Sequence, residues 1–444
     1  MTGARFNSAY LAVAAILAVA AGVAVTVEPI LGTAAMFAFV MVLAIWHRPR
    51  LGLGLWIASV CFVPYWVGID VAGFLPIPTL LGLVVVLAVA TSSKYVPHVA
   101  DLVVVALVVV AGAGVFLATS SLPVWFTMIS HWAAAYAIAR LVAVPAGIRW
   151  AENAFAIAFA LVAVATTAEW ILSWHPFESI NLTNPSYETW GPLLERGGSV
   201  RSEWAFGHPI ALGGALAMSV PFIWAASRFS VATRVIAMSF VGLAVASTQS
   251  RGSLIAVGLT LCLLFVFSPR GRRIPKQVLA LVVAGGLVAG AIYYGQLTDS
   301  AGTEASFSSQ YRVSMYRLVD TLSVIGRASS YSVRQDGTVY YERFSSIDNG
   351  FLALGLGFGY VAMAVAIGGM TVMVLRVIAR EASLAEIALV GNLPVITTVA
   401  MITQYQIVVW FMVGLAVATA VAKKRLSPSG QVEGNSAQVD AMSV

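Results

Sequence analysis

Residues 277–294 read QVLALVVAGGLVAGAIYY, a run with no charge and apolar side chains on every face. A helix needs about 20 such residues to cross the roughly 30 Å hydrocarbon core of a bilayer. The next fifty or so positions, 295–346, hold no comparable run and carry Asp299, Glu304, Arg312, Arg317, Asp320, Arg327, Arg334, Asp336, Glu342 and Arg343. Only 10% of the whole chain is charged, so charge is concentrated in this connection. Hydrocarbon-length runs alternating with short polar connectors predict an all-α fold, a polytopic transmembrane helical bundle. Spans are expected near 9–27, 30–46, 51–69, 76–92, 99–118, 124–142, 150–172, 208–227, 233–249, 252–267, 277–294, 349–375, 383–401 and 404–422, or twelve if short ones merge. With 60% hydrophobic residues and a mean hydropathy of +0.90, an ordinary soluble domain is excluded.

Lysine and arginine set the expected orientation, because cytoplasmic loops retain them. With the N-terminus inside, Arg5, Arg48, Arg50, Lys94, Arg140, Arg149, Arg228, Arg234, Arg270, Arg272, Arg273, Lys276, Arg376, Arg380, Lys423, Lys424 and Arg425 all fall on the cytoplasmic side. The remaining basic residues, Arg196, Arg201, Arg251, Arg312, Arg317, Arg327, Arg334 and Arg343, gather in or beside two outer loops. The expected location is the cytoplasmic (inner) membrane, with both termini cytoplasmic. The pI near 9.4 follows from this topology and implies no nucleic-acid partner. Cys61 and Cys262 lie in apolar runs toward opposite sides, too far apart for a disulfide. The run after Arg5 is longer than a cleaved signal core and reads as a span. Asn181-Leu182-Thr183 matches a glycosylation sequon, a pattern short enough to arise by chance.

Three regions follow: an N-terminal transmembrane scaffold over 1–172, a catalytic transmembrane region over 173–426 with outer loops 173–207 and 295–346, and a disordered cytoplasmic tail at 427–444, rich in Ser, Gly, Asn and Gln. In the larger loop, Tyr311, Met315, Leu318, Leu322 and Ile325 recur at helical spacing, predicting an interfacial helix over 308–327, apolar face toward lipid. Asp336-Gly337 between alternating segments predicts a two-residue hairpin turn. Both outer loops are therefore expected to be ordered, the larger partly helical.

Four segments could carry chemistry: Arg196 through Pro209, with Arg201, Glu203 and His208; Thr248-Gln249-Ser250-Arg251-Gly252-Ser253; Ser308 through Arg312; and Asp348-Asn349. A cation as close to hydrocarbon as Arg251 is a functional candidate unless it is paired or snorkels. Each segment also has a plain structural reading. Arg196 and Arg201 could pair with Glu195 and Glu203, Arg312 and Arg317 could bind headgroups or Asp320, Asp348 could cap a helix, and His208 before Pro209 could be structural. Glu169 and Trp170 could be an interfacial anchor or a second wall. On the topology above all four segments share one membrane face. Guanidinium groups recognise phosphate by paired hydrogen bonds, and a nearby carboxylate can take a proton from a hydroxyl. The sequence contains no HExxH, Cys/His cluster, DxD pair or Walker loop, so no metal or other cofactor is expected.

Gly207-His208-Pro209 after an upstream arginine, Thr248-Gln249-Ser250-Arg251-Gly252 between spans, Tyr311-Arg312 in the large loop, and Asp348-Asn349-Gly350-Phe351-Leu352 running to Gly355 and Gly359 together resemble the O-antigen ligase and O-antigen polymerase superfamily. The resemblance covers roughly 195–375. It implies a metal-independent inverting membrane glycosyltransferase whose donor is a polyprenyl-diphosphate-linked glycan and whose acceptor is a hydroxyl on a glycan or glycolipid. It implies Asp348 as catalytic base, Arg251, Arg312 and Arg201 on the diphosphate, and His208, Asn349, Gln249 and Arg317 toward substrate. Ligases of the family typically have His-Asn where this chain has Asp348-Asn349, a departure that favours a polymerase or a different acceptor. The alternative is a transporter or flippase for a lipid-linked or anionic solute; an assembly or sensor protein is the third reading.

Overall fold

The computed structural model describes residues 40–70, 73–90, 95–180, 182, 184–196, 198–268, 275–334 and 339–425. The expected span at 9–27, most of that at 30–46, the tail at 427–444, both polar residues of the sequon, Arg5, Lys94, Arg270, Arg272, Arg273 and the Asp336-Gly337 turn lie outside the described residues.

The chain is mostly helical. Its helices are α1 (Pro49–Phe62), α2 (Ile77–Ala90), α3 (Val99–Phe116), α4 (Leu122–Ala146, with a π-helical stretch at Met128–Ala133), α5 (Ile148–Leu172), α6 (Pro185–Trp190), α7 (Pro209–Ala225), α8 (Val231–Ser247), α9 (Arg251–Val266), α10 (Lys276–Met315), α11 (Gly350–Phe358), α12 (Tyr360–Ile378), α13 (Leu384–Gly391), α14 (Leu393–Ile396) and α15 (Thr403–Arg425). Among the described residues six helices are long and apolar enough to cross a membrane: α3, α4, α5, the Lys276–Leu297 part of α10, α12 and α15. Three short antiparallel pairs, Gly68–Asp70 with Phe74–Pro76, Glu195–Arg196 with Ser199–Val200, and Tyr331–Val333 with Val339–Tyr341, sit in connections.

Local chemistry sets the helix ends. His98 with Asp101, and Ser383 with Glu386, form capping boxes at the starts of α3 and α13, pairing N–H groups a helix start leaves unmet. Helix α7 is the hub. It is buried along nearly its whole length, and Gly214 lets Tyr405 of α15 approach so closely that an added Cβ would lie 2.7 Å from the ring. One core is shared by α1, α2, α4, α5, α7, α8, α9, α13, α14 and α15, with Leu279 of α10 and Val377 of α12 at its edge. Helices α10 and α12 flank it, presenting Leu281, Val288, Ile292, Val372 and Leu375 outward. Apolar surface this extensive is incompatible with water and matches a lipid-facing rim.

At one end of the bundle, here called the loop end, Trp204 Nε1 donates to Cys61 O, Gln404 Nε2 donates to Val63 O and Ala205 O, and Arg327 N donates to Thr119 O. At the opposite end Arg50 Nε donates to Ala146 O and Lys423 Nζ to Glu381 O. Arg140 also lies toward this end, but as a buried fork on Asp101: Nε to Oδ1 and Nη2 to Oδ2, both 2.7 Å, with Tyr136 Oη on Oδ1 at 2.6 Å. It is thus part of a buried, neutralised ion pair.

Two local expectations are corrected. No separate interfacial helix spans 308–327. Helix α10 runs unbroken for 40 residues to Met315 and passes into a 3₁₀ turn, Tyr316–Thr321, because no proline interrupts the ladder after the apolar run. Met315 and Leu318 pack on Phe344, Leu352 and Leu356 instead of on lipid. The expected span at 349–375 is two helices, broken at Gly359, whose φ of +92° and close approach to Val324 O (2.6 Å from an added Cβ) exclude a side chain.

Candidate functional site

Five buried or half-buried apolar groups, Tyr311, Met315, Phe344, Ile347 and Leu352, fasten the large loop over α11 and bring the end of α10 against its start. There Asn349, not Asp348, is the helix cap: its Oδ1 accepts from Phe351 N and Leu352 N, each at 3.0 Å. The Asp348 carboxylate is therefore available for other contacts. Ser346 Oγ donates to its Oδ1 at 3.0 Å, Tyr311 Oη holds Ser346 O at 2.9 Å, and Arg312 Nε lies 3.9 Å from its Oδ2. The two charged side chains are 35% and 26% exposed, so solvent and solutes reach both. Arg312 Nε has no hydrogen-bond partner among the described residues. A partly exposed pair this long contributes only about 0–1 kcal/mol, so stability does not account for its presence. Burial, then the Asp348 charge, raises the Tyr311 phenol pKa.

Arg317 is otherwise engaged, with Nη2 2.9 Å from Glu342 Oε2 and its guanidinium 5.4 Å from the Phe344 ring centroid. Its described contacts are within the loop.

The second loop grips the α8–α9 corner. Arg201 Nε donates to Thr248 O at 2.8 Å, Arg196 Nη1 to Gln249 O at 3.0 Å, and Ser202 N to Ser247 O. Gln249 is half-buried in a left-handed conformation, φ 50°, and Ser250 caps α9 by accepting from Ser253 N. These contacts fix the corner from which Arg251, the first residue of α9, emerges half-buried. Arg201 is buried and orders this corner through its backbone contact. Glycine environments relate Arg251 to Asp348. An added Cβ on Gly252 would sit 3.4 Å from Thr398 Oγ1, and one on Gly350 would sit 3.2 Å from Ile396 O and 3.1 Å from Met401 Cγ. Helices α9 and α11 thus begin on the same 396–401 segment.

His208 caps α7, with Nδ1 accepting from Ile210 N at 3.2 Å, so its neutral ring carries the proton on Nε2. Burial, then the Arg201 charge, lowers its pKa to about 4. Trp190 lies edge-on to both His208 and Tyr65.

Glu203 is buried, and neither carboxyl oxygen has a hydrogen-bond partner among the described residues. Its pKa is pushed up to about 9 by burial and by the Glu169 charge, against the opposing pull of Arg201. Glu169 itself bonds His175 Nδ1 at 3.0 Å and accepts from Trp204 N at 3.1 Å. Glu169 is thus interior to the loop end, while Trp170 faces outward.

The structure therefore joins Arg312, Asp348 and Asn349 directly, starts Arg251 on the segment that also supports α11, and groups Arg201, Gln249 and His208 around the neighbouring corner. A further polar cluster escaped sequence reasoning. Tyr65 Oη meets His131 Nε2 at 3.2 Å, and Trp132 Nε1 donates to Gln406 Oε1 at 2.7 Å. His131 and Trp132 lie in the π-helical stretch of α4, a distortion frequent at functional sites. The visible signals were His-Trp inside an apolar run and Gln-Tyr-Gln at the head of another. Among the described residues no group of three or more His, Cys, Asp or Glu forms a metal-holding arrangement. No protein-family model, curated protein or solved structure matches this chain.

Proposed function

We propose that this protein is a membrane glycosyltransferase of the O-antigen ligase and polymerase type. It moves a glycan from a polyprenyl-diphosphate carrier onto a sugar hydroxyl at the outer face of the cytoplasmic membrane. The observation that carries this reading is the Arg312–Asp348 juxtaposition: a reachable carboxylate, released from helix capping by its neighbour, beside an arginine that its fold stability does not need. The loop end would face outward. In the reaction the acceptor O–H proton passes to the Asp348 carboxylate as the acceptor oxygen bonds the anomeric carbon. The bond from that carbon to the diphosphate oxygen breaks, and its electron pair leaves with polyprenyl diphosphate. Arg312 and Arg251 neutralise the departing charge through hydrogen bonds that grow stronger as it develops. Arg201 and His208 support the corner that carries Arg251.

The test uses purified protein in lipid vesicles with a polyprenyl-diphosphate-linked glycan and a glycan acceptor. Arg251→Ala, Arg312→Ala and Asp348→Ala should each abolish product while leaving membrane insertion intact. Near-wild-type product from all three overturns the reading.

The transporter or flippase reading is favoured by one observation, the burial of the Glu169 and Glu203 carboxyls inside the loop end, since ionisable interior groups often serve transport. Vesicle flux of the lipid-linked glycan without covalent change would select it.

A further inference from the structure

Val324 and Ile325 are adjacent, aliphatic and 70% and 52% exposed, in a loop whose Met315, Leu318 and Phe344 pack inward. Their backbone is clamped. Gly326 N donates to Phe358 O, Arg327 N to Thr119 O and Ala328 N to Leu356 O, while Ser323 O and Val324 O accept from Tyr360 N and Val361 N. These bonds fasten 323–328 between the turn after α3 and the junction of α11 with α12. Glycine allows the close approach: Gly326 has a φ of +93°, and an added Cβ there would lie 2.6 Å from Thr119 O. Ile325 and Val361 line one apolar crevice together with Val103 and Val110 of α3. The rest of the protein buries only 22% of the apolar stretch of α3 and 11% of that of α12, so the loop joins both helices on their lipid-facing side.

We infer that Val324 and Ile325 form a wedge seated in the bilayer leaflet at the loop end, with phospholipid acyl chains as its partner. Continuity selects this occupant. The wedge extends the surface of two helices that already face lipid, and its clamped backbone cannot turn the two side chains inward. Charge frames it without entering it: residues 321–326 carry none, Asp320 before them is exposed, and the Arg327 guanidinium after them is drawn back over the Tyr331 ring at 4.8 Å. A segment that dips into the interface and returns has this pattern. The wedge also seats the functional loop. Leu322 Cδ1 lies 3.1 Å from an added Cβ on Gly355 of α11, and Leu318 belongs to the apolar cluster that brings Arg312 to Asp348. Lipid holding Val324 and Ile325 therefore steadies that pair from outside. The inference stands apart from the reaction proposed above, since a flippase would need the same loop seated.

The experiment places a nitroxide at Val324→Cys or Ile325→Cys in the full chain carrying Cys61→Ala and Cys262→Ala, in phosphatidylcholine nanodiscs. Power saturation then compares access of oxygen, which concentrates in hydrocarbon, with access of a water-soluble nickel chelate. Ile367→Cys, on the outward face of α12, is the lipid reference, and Ser332→Cys, exposed on the hairpin, is the water reference. Both wedge labels should match the Ile367 label, open to oxygen and closed to nickel. Nickel access equal to that at Ser332 overturns the inference. Low access to both reagents also overturns it, because protein, such as a second copy, would then cover the wedge. A second measurement tests the seating. The double variant Val324→Asp with Ile325→Asp should speed amide exchange at Arg327 and Ala328 several-fold in nanodiscs while amides of α5 keep their rates. Unchanged exchange at Arg327 and Ala328 would show that lipid does not hold the loop in place.

Discussion

Asn349 and Asp348 divide two tasks between adjacent positions. The Asn349 side chain closes the first turn of α11 on Phe351 N and Leu352 N, while the Asp348 carboxylate turns to Ser346 and Arg312. Substituting each residue should therefore give opposite phenotypes. Asn349→Ala should lower stability by about 1 kcal/mol, the usual value of a lost cap, and Asn349→Asp should retain it. Asp348→Asn should leave thermal unfolding in detergent unchanged and remove glycan transfer. Equal destabilisation by Asp348→Asn would make the carboxylate structural.

The arginines should separate in the same way. Arg312 is partly exposed and Arg201 is buried on Thr248 O. Arg312→Ala should change stability by less than about 1 kcal/mol while stopping transfer. Arg201→Ala should cost roughly 1.5–3 kcal/mol, the range for a hydrogen bond to a charged group. Unfolding midpoints of both variants, measured beside transfer rates, check this.

Glu203 predicts a pH dependence. Its folded pKa is about 9, against 4.5 for the free side chain, so the folded protein binds the extra proton between those values. Stability is then fully present below about pH 4.5 and declines as pH rises toward 9. Glu203→Gln mimics the neutral acid and should flatten that decline. Unfolding curves collected across this window should converge at low pH and diverge at high pH. An unchanged slope in the variant would assign the dependence to another group.

The Arg140–Asp101 fork is interior and has Tyr136 as a third partner. Arg140→Ala strands a buried carboxylate and should destabilise by about 3–5 kcal/mol. The double variant Arg140→Leu with Asp101→Leu should recover only part of that loss, because it also removes the acceptor of His98 N and Tyr136 Oη. Thermal unfolding of the single and double variants makes the comparison.

The helical class and the positions of most membrane helices were legible because an apolar run long enough for lipid has few soluble alternatives. The pairing of Arg312 with Asp348 was visible only as two motifs at one predicted face. Their contact depends on Ile347 and Phe344 packing under the loop, which no periodicity reports. Sequence reasoning also divided the end of α10 into a separate helix, since the charges after 294 read as a loop although nothing there breaks the backbone ladder. The resemblance placed Asn349 toward substrate and the cap reading fell on Asp348; only the geometry of the first turn shows that Asn349 is the cap. The cluster of Tyr65, His131, Trp132 and Gln406 draws on α4, α15 and the connection after α1, and single polar residues in separate apolar runs give no sign that they meet.

Helix α10 joins membrane and site as one rigid rod. Its segment beyond Leu297 extends to Met315, roughly 27 Å at helical rise, and Arg312 rides near its tip. Its lower part packs on α9, with Val278, Leu279, Val282 and Val283 against the core and Tyr293 Oη donating to Ala246 O, so lean of that packed unit with the thickness of the surrounding lipid is passed to the rod. A few degrees of lean at the base become ångströms at the guanidinium. Bilayer composition would then act as a mechanical tuning screw on the charge that faces Asp348.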